Sequence, residues 1–228
     1  MKKCIAIIPA RGGSKRIPQK NIRDFLGKPA ISYPIGAALN SGIFSDVIVS
    51  TDSAEIATVS QEFGATGVIN RPNDLADDIT PTVPVIAHAV EYLELEPETV
   101  VCCIYPVNPF VMIEDLKSGL DVLLQNPSIS YVNSICTFPY PIQRALRMDA
   151  KDIIEMVNPL LAVTRSQDLE EMFHDAGQWY FGKAETWMRR DHILFNSIGY
   201  RIPRWRSQDI DTLEDWELAE KLFKISSQ

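Results

Sequence analysis

Cysteine and histidine are scarce in this chain, with four Cys and three His in 228 residues. Cys4, Cys102, Cys103 and Cys136 sit inside apolar, strand-like runs, and no spacing among them suits a zinc site or a disulfide framework. They read as reduced core residues, and the expected compartment is the cytoplasm. No apolar run approaches 18 residues, so no membrane span is expected. The run over 4–8 follows Lys2 and Lys3 but stops at Pro9, too short for the apolar region of a signal peptide. Positive charge is short overall, with 22 Lys and Arg against 30 Asp and Glu, a formal net charge of −8. That balance argues against general affinity for nucleic acid. Two phosphate-binding signatures are missing as well: neither G-x-x-x-x-G-K-[ST] nor G-x-G-x-x-G occurs, which sets aside ordinary P-loop NTPases and NAD enzymes. There is no internal repeat or low-complexity tract. What remains is 46% hydrophobic and 23% charged residues, an ordinary composition for one domain over 1–228 with a sizeable core.

Apolar strand-length runs alternate with helical spacing along the first 136 residues. Strands are expected over 4–10, 46–50, 67–70, 99–105 and 130–136. Helices are expected over 30–40, from Ser53 as N-cap to 63, over 83–95 and over 113–124. Pro34 is tolerable only in the first turn of its helix. This rhythm is that of an α/β fold, an open and mostly parallel sheet flanked by helices. From 138 to 175 the rhythm fails, and Pro139, Pro141 and Pro159 punctuate short elements, so the stretch reads as a projecting insertion. Late strands at 178–181 and 198–202 and an amphipathic helix at 213–223 complete the chain. In such sheets ligands bind beyond the carboxyl ends of the strands, which directs attention to the loops there.

Three of those regions carry chemistry. Residues 1–28 hold eight basic side chains against Asp24 alone, a surplus of +7, while the remainder carries −15. A compact cationic site on an acidic body suits a small polyanion, and a solvated basic face is the plain alternative. Within it, 10–21 (ARGGSKRIPQKN) offers Gly12 and Gly13 for close backbone approach to phosphate, with Arg11, Lys15 and Lys20 supplying charge. Near the other end, Asp209 and Asp211 flank Ile210 in an extended QDIDT segment, so both carboxylates face one side. Two hard oxygen ligands suit Mg²⁺ on phosphate. Equally, Asp211 or Thr212 can cap the last helix, with Glu214 or Asp215 closing a capping box. Third, 164–181 combines Arg165, His174, Asp175 and Gln178 with four aromatic residues, an unusual density for a connector. His174 is a candidate contact there, whereas His88 on a core helix and His192 in a basic stretch are not. Asp52, at a strand end, is read as an N-cap for the next helix rather than a ligand.

The segments ARGGSKRIPQKN, IVSTD (48–52), RPNDLADD (71–78) and DIDTLEDWELAE (209–220) together resemble the CMP-sugar synthetases, cytidylyltransferases of the acylneuraminate type. The match is in order and nearly end to end. Within that family, 164–182 (TRSQDLEEMFHDAGQWYFG) is most similar to the members that act on pseudaminic acid. Sialic acid enzymes have an Arg-Pro-Asn-Gly type sequence where this chain has 174–177 (HDAG), and Q-P-T-S-P-L-R where it has YPVNPF (105–110). The resemblance therefore implies a nucleotidyltransferase joining CTP to a nine-carbon α-keto acid sugar, pseudaminic acid ahead of N-acetylneuraminic or legionaminic acid, with release of pyrophosphate. It implies that Arg11, Lys15 and Lys20 hold the triphosphate, that Asn21, Arg71 and Thr82 lie near cytosine and ribose, and that Asp209 and Asp211 carry Mg²⁺. Arg165 would approach the sugar carboxylate, with Tyr105, Asn108, His174 and Gln178 shaping the rest of the sugar pocket. Lys20, Asp209 and Asp211 are the implied catalytic set. The insertion 138–175 resembles the family's dimerisation arm, so a homodimer is expected. Two other readings stay open on the D-x-D and the nucleotide-type sheet alone: a glycosyltransferase consuming a nucleotide-sugar, and a non-catalytic regulator that binds CTP.

Overall fold

The computed structural model describes residues 3–226. Its spine is a seven-stranded sheet in the order β11 (Ser197–Arg201), β7 (Tyr131–Thr137), β10 (Phe173–Lys183), β6 (Val100–Ile104), β1 (Cys4–Pro9), β4 (Asp46–Thr51) and β5 (Gly67–Asn70). Strand β1 runs parallel to β4 and β6, and β5 runs parallel to β4. Strand β10 is antiparallel to both β6 and β7, and β11 is parallel to β7. Strands β2 (Asp24–Phe25) and β3 (Lys28–Pro29) form a small separate ladder, as do β8 (Leu146–Met148) and β9 (Ile154–Met156).

The central strands read as unbroken apolar runs because both faces are covered. Alternate residues of β1 divide between two cores. Ala6 and Ile8 join Val47, Val49, Cys102 and Ile104 beneath α1 (Ser32–Ser41), α2 (Ala54–Glu62) and α4 (Ile113–Gln125). Ile5 and Ile7 join Val101 and Cys103 on the opposite face, under α3 (Thr82–Tyr92) and α5 (Ala184–Arg189). All four cysteines are buried and unbridged, and burial pushes the Cys4 thiol up to about 12, so they act as small apolar residues. A third cluster packs Ile17 of the first loop against Ile210, Phe25 and Trp216 of α6 (Leu213–Ser226). Among the described residues no helix is long and apolar enough to cross a membrane.

The expected strands and helices of the first 137 residues are present within two or three residues of their limits, with Pro34 in the first turn of α1. The second half differs in three ways. Strand β10 starts at Phe173, so the last three residues assigned to the insertion belong to the sheet and pair with β7. The same strand extends well beyond 178–181 on both sides. Its alternation is interrupted by an irregularity between Asp175 and Tyr180, where Gly177 adopts φ +63°, and this hides the strand's true length in the sequence. Helix α5, six residues long, has too short a period to be recognised. Residues 138–172 between β7 and β10 hold the β8–β9 hairpin and short 3-10 turns.

Candidate active site

The carboxyl ends of β1, β5 and β6 open into one cavity of about 270 Å³. It is lined by Arg11, Lys15 and Lys20 from the first loop and by Asp209 and Asp211 from the segment before α6. Asn21, Arg71, Thr82, Tyr105 and Gly177 complete much of the wall. Residues nearly two hundred positions apart in the chain thus face one space.

The first loop is built by its own side chains. Asn21 is buried, and its Nδ2 donates to the carbonyl of Arg11 at 2.8 Å, closing the loop on itself. Ile17 points into the core beside Ile210 and fixes the loop's height above α6. Gly12 lies outside the cavity lining: its N–H donates to Asp52 Oδ1 at 2.8 Å, and a Cβ there would stand 3.0 Å from Ser53 Cβ. Its small size thus serves close approach to the start of α2. Gly13 does not line the cavity either. The expected cap role of Asp52 is corrected here. Ser53 Oγ accepts the Ile56 N–H at 3.4 Å and caps α2, which leaves the Asp52 carboxylate to receive Gly12.

The cations of the loop are held by carboxylates. Asp78 pairs with both Arg11 and Lys15, and these two hydrogen bonds, Lys15 first, hold its carboxyl below the usual carboxylate range. Lys20 Nζ lies 3.1 Å from Asp211 Oδ1, and Arg16 reaches the other oxygen at 2.8 Å. Arg71 is buried at the end of β5, donating from Nη2 to the Ser50 carbonyl at 2.6 Å and from Nε to Ser50 Oγ at 3.2 Å. Desolvation lowers its pKa to about 10, so the guanidinium is still charged at neutral pH. Thr82 Oγ1 and the Tyr105 hydroxyl are 2.8 Å apart, and burial raises the Tyr105 phenol to about 12.

The two readings of the QDIDT segment turn out to be compatible. Thr212 and Asp215 form the capping box by themselves. Asp215 N donates to Thr212 Oγ1 at 3.2 Å, and Thr212 N donates to Asp215 Oδ2 at 2.7 Å. Asp209 and Asp211 line the cavity, while Ile210 between them is buried in the cluster of Ile17, Phe25 and Trp216. The carboxyl of Asp209 is held above the usual range by desolvation and then by the charge of Asp211, against the pull of Lys20 and Arg16. Among the described residues no third His, Cys, Asp or Glu joins these two to make a protein-only metal cage.

Four residues expected at the sugar do not line this cavity. Arg165 is exposed on the insertion, with Nε 2.8 Å from Asp168 Oδ2. His174 sits on β10 with Nε2 3.0 Å from Cys136 Sγ and its ring against Phe138. Asn108 is buried and donates to the Gly177 carbonyl at 3.1 Å, supporting the wall from behind. Gln178 is 0% exposed, and its Nε2 donates to the Arg206 carbonyl at 2.6 Å. Gln178 directly follows the kink at Gly177, where regular strand alternation is interrupted, and its side chain is buried in the protein. Arg16 lines the cavity and Asp78 pairs with two of its cations, and neither stands out in the sequence as a site residue. The available signal was the need of a dense basic loop for counter-charges, with Asp78 inside the quoted RPNDLADD segment.

A family model described as Cytidylyltransferase matches residues 5–222. Pseudaminic acid cytidylyltransferase of Campylobacter jejuni is 41% identical over 99% of this chain and 98% of its own. The CMP-N,N'-diacetyllegionaminic acid synthase of Legionella pneumophila is 31% identical over 98% of this chain and 97% of its own. Among solved structures, a CMP:2-keto-3-deoxy-manno-octonic acid synthetase complexed with CTP matches with a TM-score of 0.73 at 17% identity, covering 98% of this chain and 99% of that one. At that identity the likeness concerns the fold. Matched along nearly its whole length, and with the family's charged loops converging on one cavity, the chain belongs to the cytidylyltransferase family.

Proposed function

We propose that this nucleotidyltransferase joins CTP to pseudaminic acid, giving CMP-pseudaminic acid and pyrophosphate. The observation that carries the reading is the single cavity in which Arg11, Lys15 and Lys20 face Asp209 and Asp211. The choice of sugar rests on the 41% full-length identity to a pseudaminic acid cytidylyltransferase, against 31% to the legionaminic acid synthase. Mg²⁺ fits the donor set, since Asp209 and Asp211 are hard oxygen ligands that leave positions for phosphate oxygens and water. Bound there, Mg²⁺ supplies neutralisation of phosphate charge.

The chain's own residues account for the rest. Arg11 and Lys15 bind the triphosphate once Asp78 releases them, and Lys20 exchanges Asp211 for the charge that builds at the α-phosphorus. Arg71, Asn21 and Thr82 orient the nucleoside. The anomeric hydroxyl of the sugar loses its proton to the surrounding solvent and attacks the α-phosphorus directly, the bond to pyrophosphate breaks, and no protein nucleophile is needed. Two anions held in line supply much of the acceleration. The exposed apolar residues of 138–172, Leu160 at 88% and Val163 at 93% among them, support a homodimer formed through this insertion. Four unbridged thiols and the use of CTP fit a cytoplasmic enzyme.

The test is Mg²⁺-dependent release of pyrophosphate from CTP, with pseudaminic, legionaminic, N-acetylneuraminic and 2-keto-3-deoxy-octonic acids offered separately. Selective turnover of pseudaminic acid is expected. Turnover of another acid alone overturns the substrate, and consumption of a nucleotide-sugar instead of CTP overturns the reaction.

A further inference from the structure

Residues 206–207, just ahead of the two site aspartates, are gripped from three elements. Arg206 ends a 3-10 turn (Arg204–Arg206), and its guanidinium pairs with Asp115 in the first turn of α4. The two side chains are only 11% and 9% exposed. Tyr200 of β11 donates to the other oxygen of Asp115 at 3.2 Å. The backbone is held as well: Gln178 Nε2 of β10 donates to the Arg206 carbonyl at 2.6 Å, and Ser207 Oγ donates to the Ala176 carbonyl at 3.3 Å. Ile210 is then buried, and the capping box of α6 begins at Thr212. Asp209 and Asp211 thus project from a short span anchored at both ends.

These anchors are poor bargains for stability alone. A buried ion pair gains little over apolar side chains of the same shape. Gln178 is fully buried, yet its Oε1 has no hydrogen-bond partner among the described residues, a cost that an apolar residue of similar length would avoid. Local rules are broken in this way where geometry serves function.

We propose that Gln178, Asp115 and Arg206 are positioning residues that hold Asp209 and Asp211 in their metal-binding arrangement. Gln178 accordingly acts through the Arg206 backbone and does not touch the sugar. The proposal rests on the reading of Asp209 and Asp211 as the Mg²⁺ ligands, and the test separates the two.

Mn²⁺ serves as the probe, titrated by electron paramagnetic resonance into the full chain saturated with a non-hydrolysable CTP analogue. Thermal melting and calorimetric binding of the analogue without metal are measured alongside. Gln178→Met removes the orphan acceptor together with the donor to the Arg206 carbonyl, a gain and a loss that offset, so the variant should keep most of the parent's thermal stability. Its Mn²⁺ affinity is expected to fall about tenfold or more, the scale for groups that orient ligands, with metal-free binding of the analogue unchanged. Asp115→Asn should do the same where it folds, and Gln178→Met decides the matter where it does not. Parent-like Mn²⁺ affinity in Gln178→Met, with affinity lost in Asp211→Asn, overturns the positioning role and leaves the metal site standing. Parent-like affinity in Asp209→Asn and Asp211→Asn overturns the metal site and the positioning role with it.

Discussion

Lys20 Nζ lies 3.1 Å from Asp211 Oδ1, a pair that ties the first loop to the segment before the last helix. Both side chains are partly shielded from solvent, and both face the cavity. Replacing either by Ala is expected to lower turnover by about 10²-fold or more, the scale for removing one charge stabiliser. Pyrophosphate release at saturating substrates measures it, and near-normal turnover in a variant removes that residue from the mechanism.

Asp78 occupies Arg11 and Lys15, the two cations proposed to bind the triphosphate. Pairs as exposed to solvent as these are weak, so a ligand can displace Asp78 at small cost. Asp78→Asn is therefore expected to tighten CTP binding several-fold in calorimetry at low ionic strength, with the gain shrinking in salt. Weaker CTP binding in that variant would show that Asp78 helps hold the nucleotide.

Asp209 gives a pH signature in the protein free of nucleotide and metal. Its carboxyl is raised by desolvation and by Asp211. A folded pKa above the unfolded one means that ionised Asp209 opposes folding at neutral pH. The penalty fades as pH falls through the folded value and vanishes below the unfolded value, about pH 4. Asp209→Asn should raise Tm at neutral pH and leave it unchanged below about pH 4. A gain of equal size at both ends would point to a cause other than charge.

The insertion predicts assembly. Leu160 and Val163 are almost fully exposed, so Leu160→Glu with Val163→Glu should leave the fold intact and convert a dimer to a monomer in light scattering. A parent protein that is monomeric at micromolar concentration contradicts this outright.

Gly119 of α4 lies against the ring of Trp179 on β10, where an added Cβ would stand 2.7 Å from two ring atoms. Gly119→Ala should cost about 1–3 kcal/mol by overpacking, despite the better helix propensity of alanine. Denaturant melts read it, and a neutral effect would mean that Trp179 can move aside.

The parallel half of the sheet was legible because each of its strands is an apolar run bounded by turn residues, and each helix repeats at its own period. Strand β10 was only half legible, since the kink at Gly177 breaks its pattern and its antiparallel direction leaves no local mark. At the site, residue type located the cations of 11–20 and the carboxylates of 209–211. What composition could not show is which side of the strand each neighbour takes. Gln178 and Asn108 carry amides suited to a sugar, yet both are buried and donate to backbone carbonyls instead. Nor could spacing show that Asp215 would relieve Asp211 of capping, because Asp211 and Thr212 satisfy the same local rule until the helix start is fixed.

The antiparallel run of β10 separates the cavity into parts of different origin. Strands β1, β5 and β6 reach the cavity as they leave the sheet, but β10 reaches it on the way in, with Gly177 at the wall. The wall at Gly177 is thus the direct continuation of the insertion, one unbroken ribbon over 138–178. Grafting that ribbon between relatives would exchange the insertion and the wall in one piece, and the loops that follow β1, β5 and β6 would stay with the recipient.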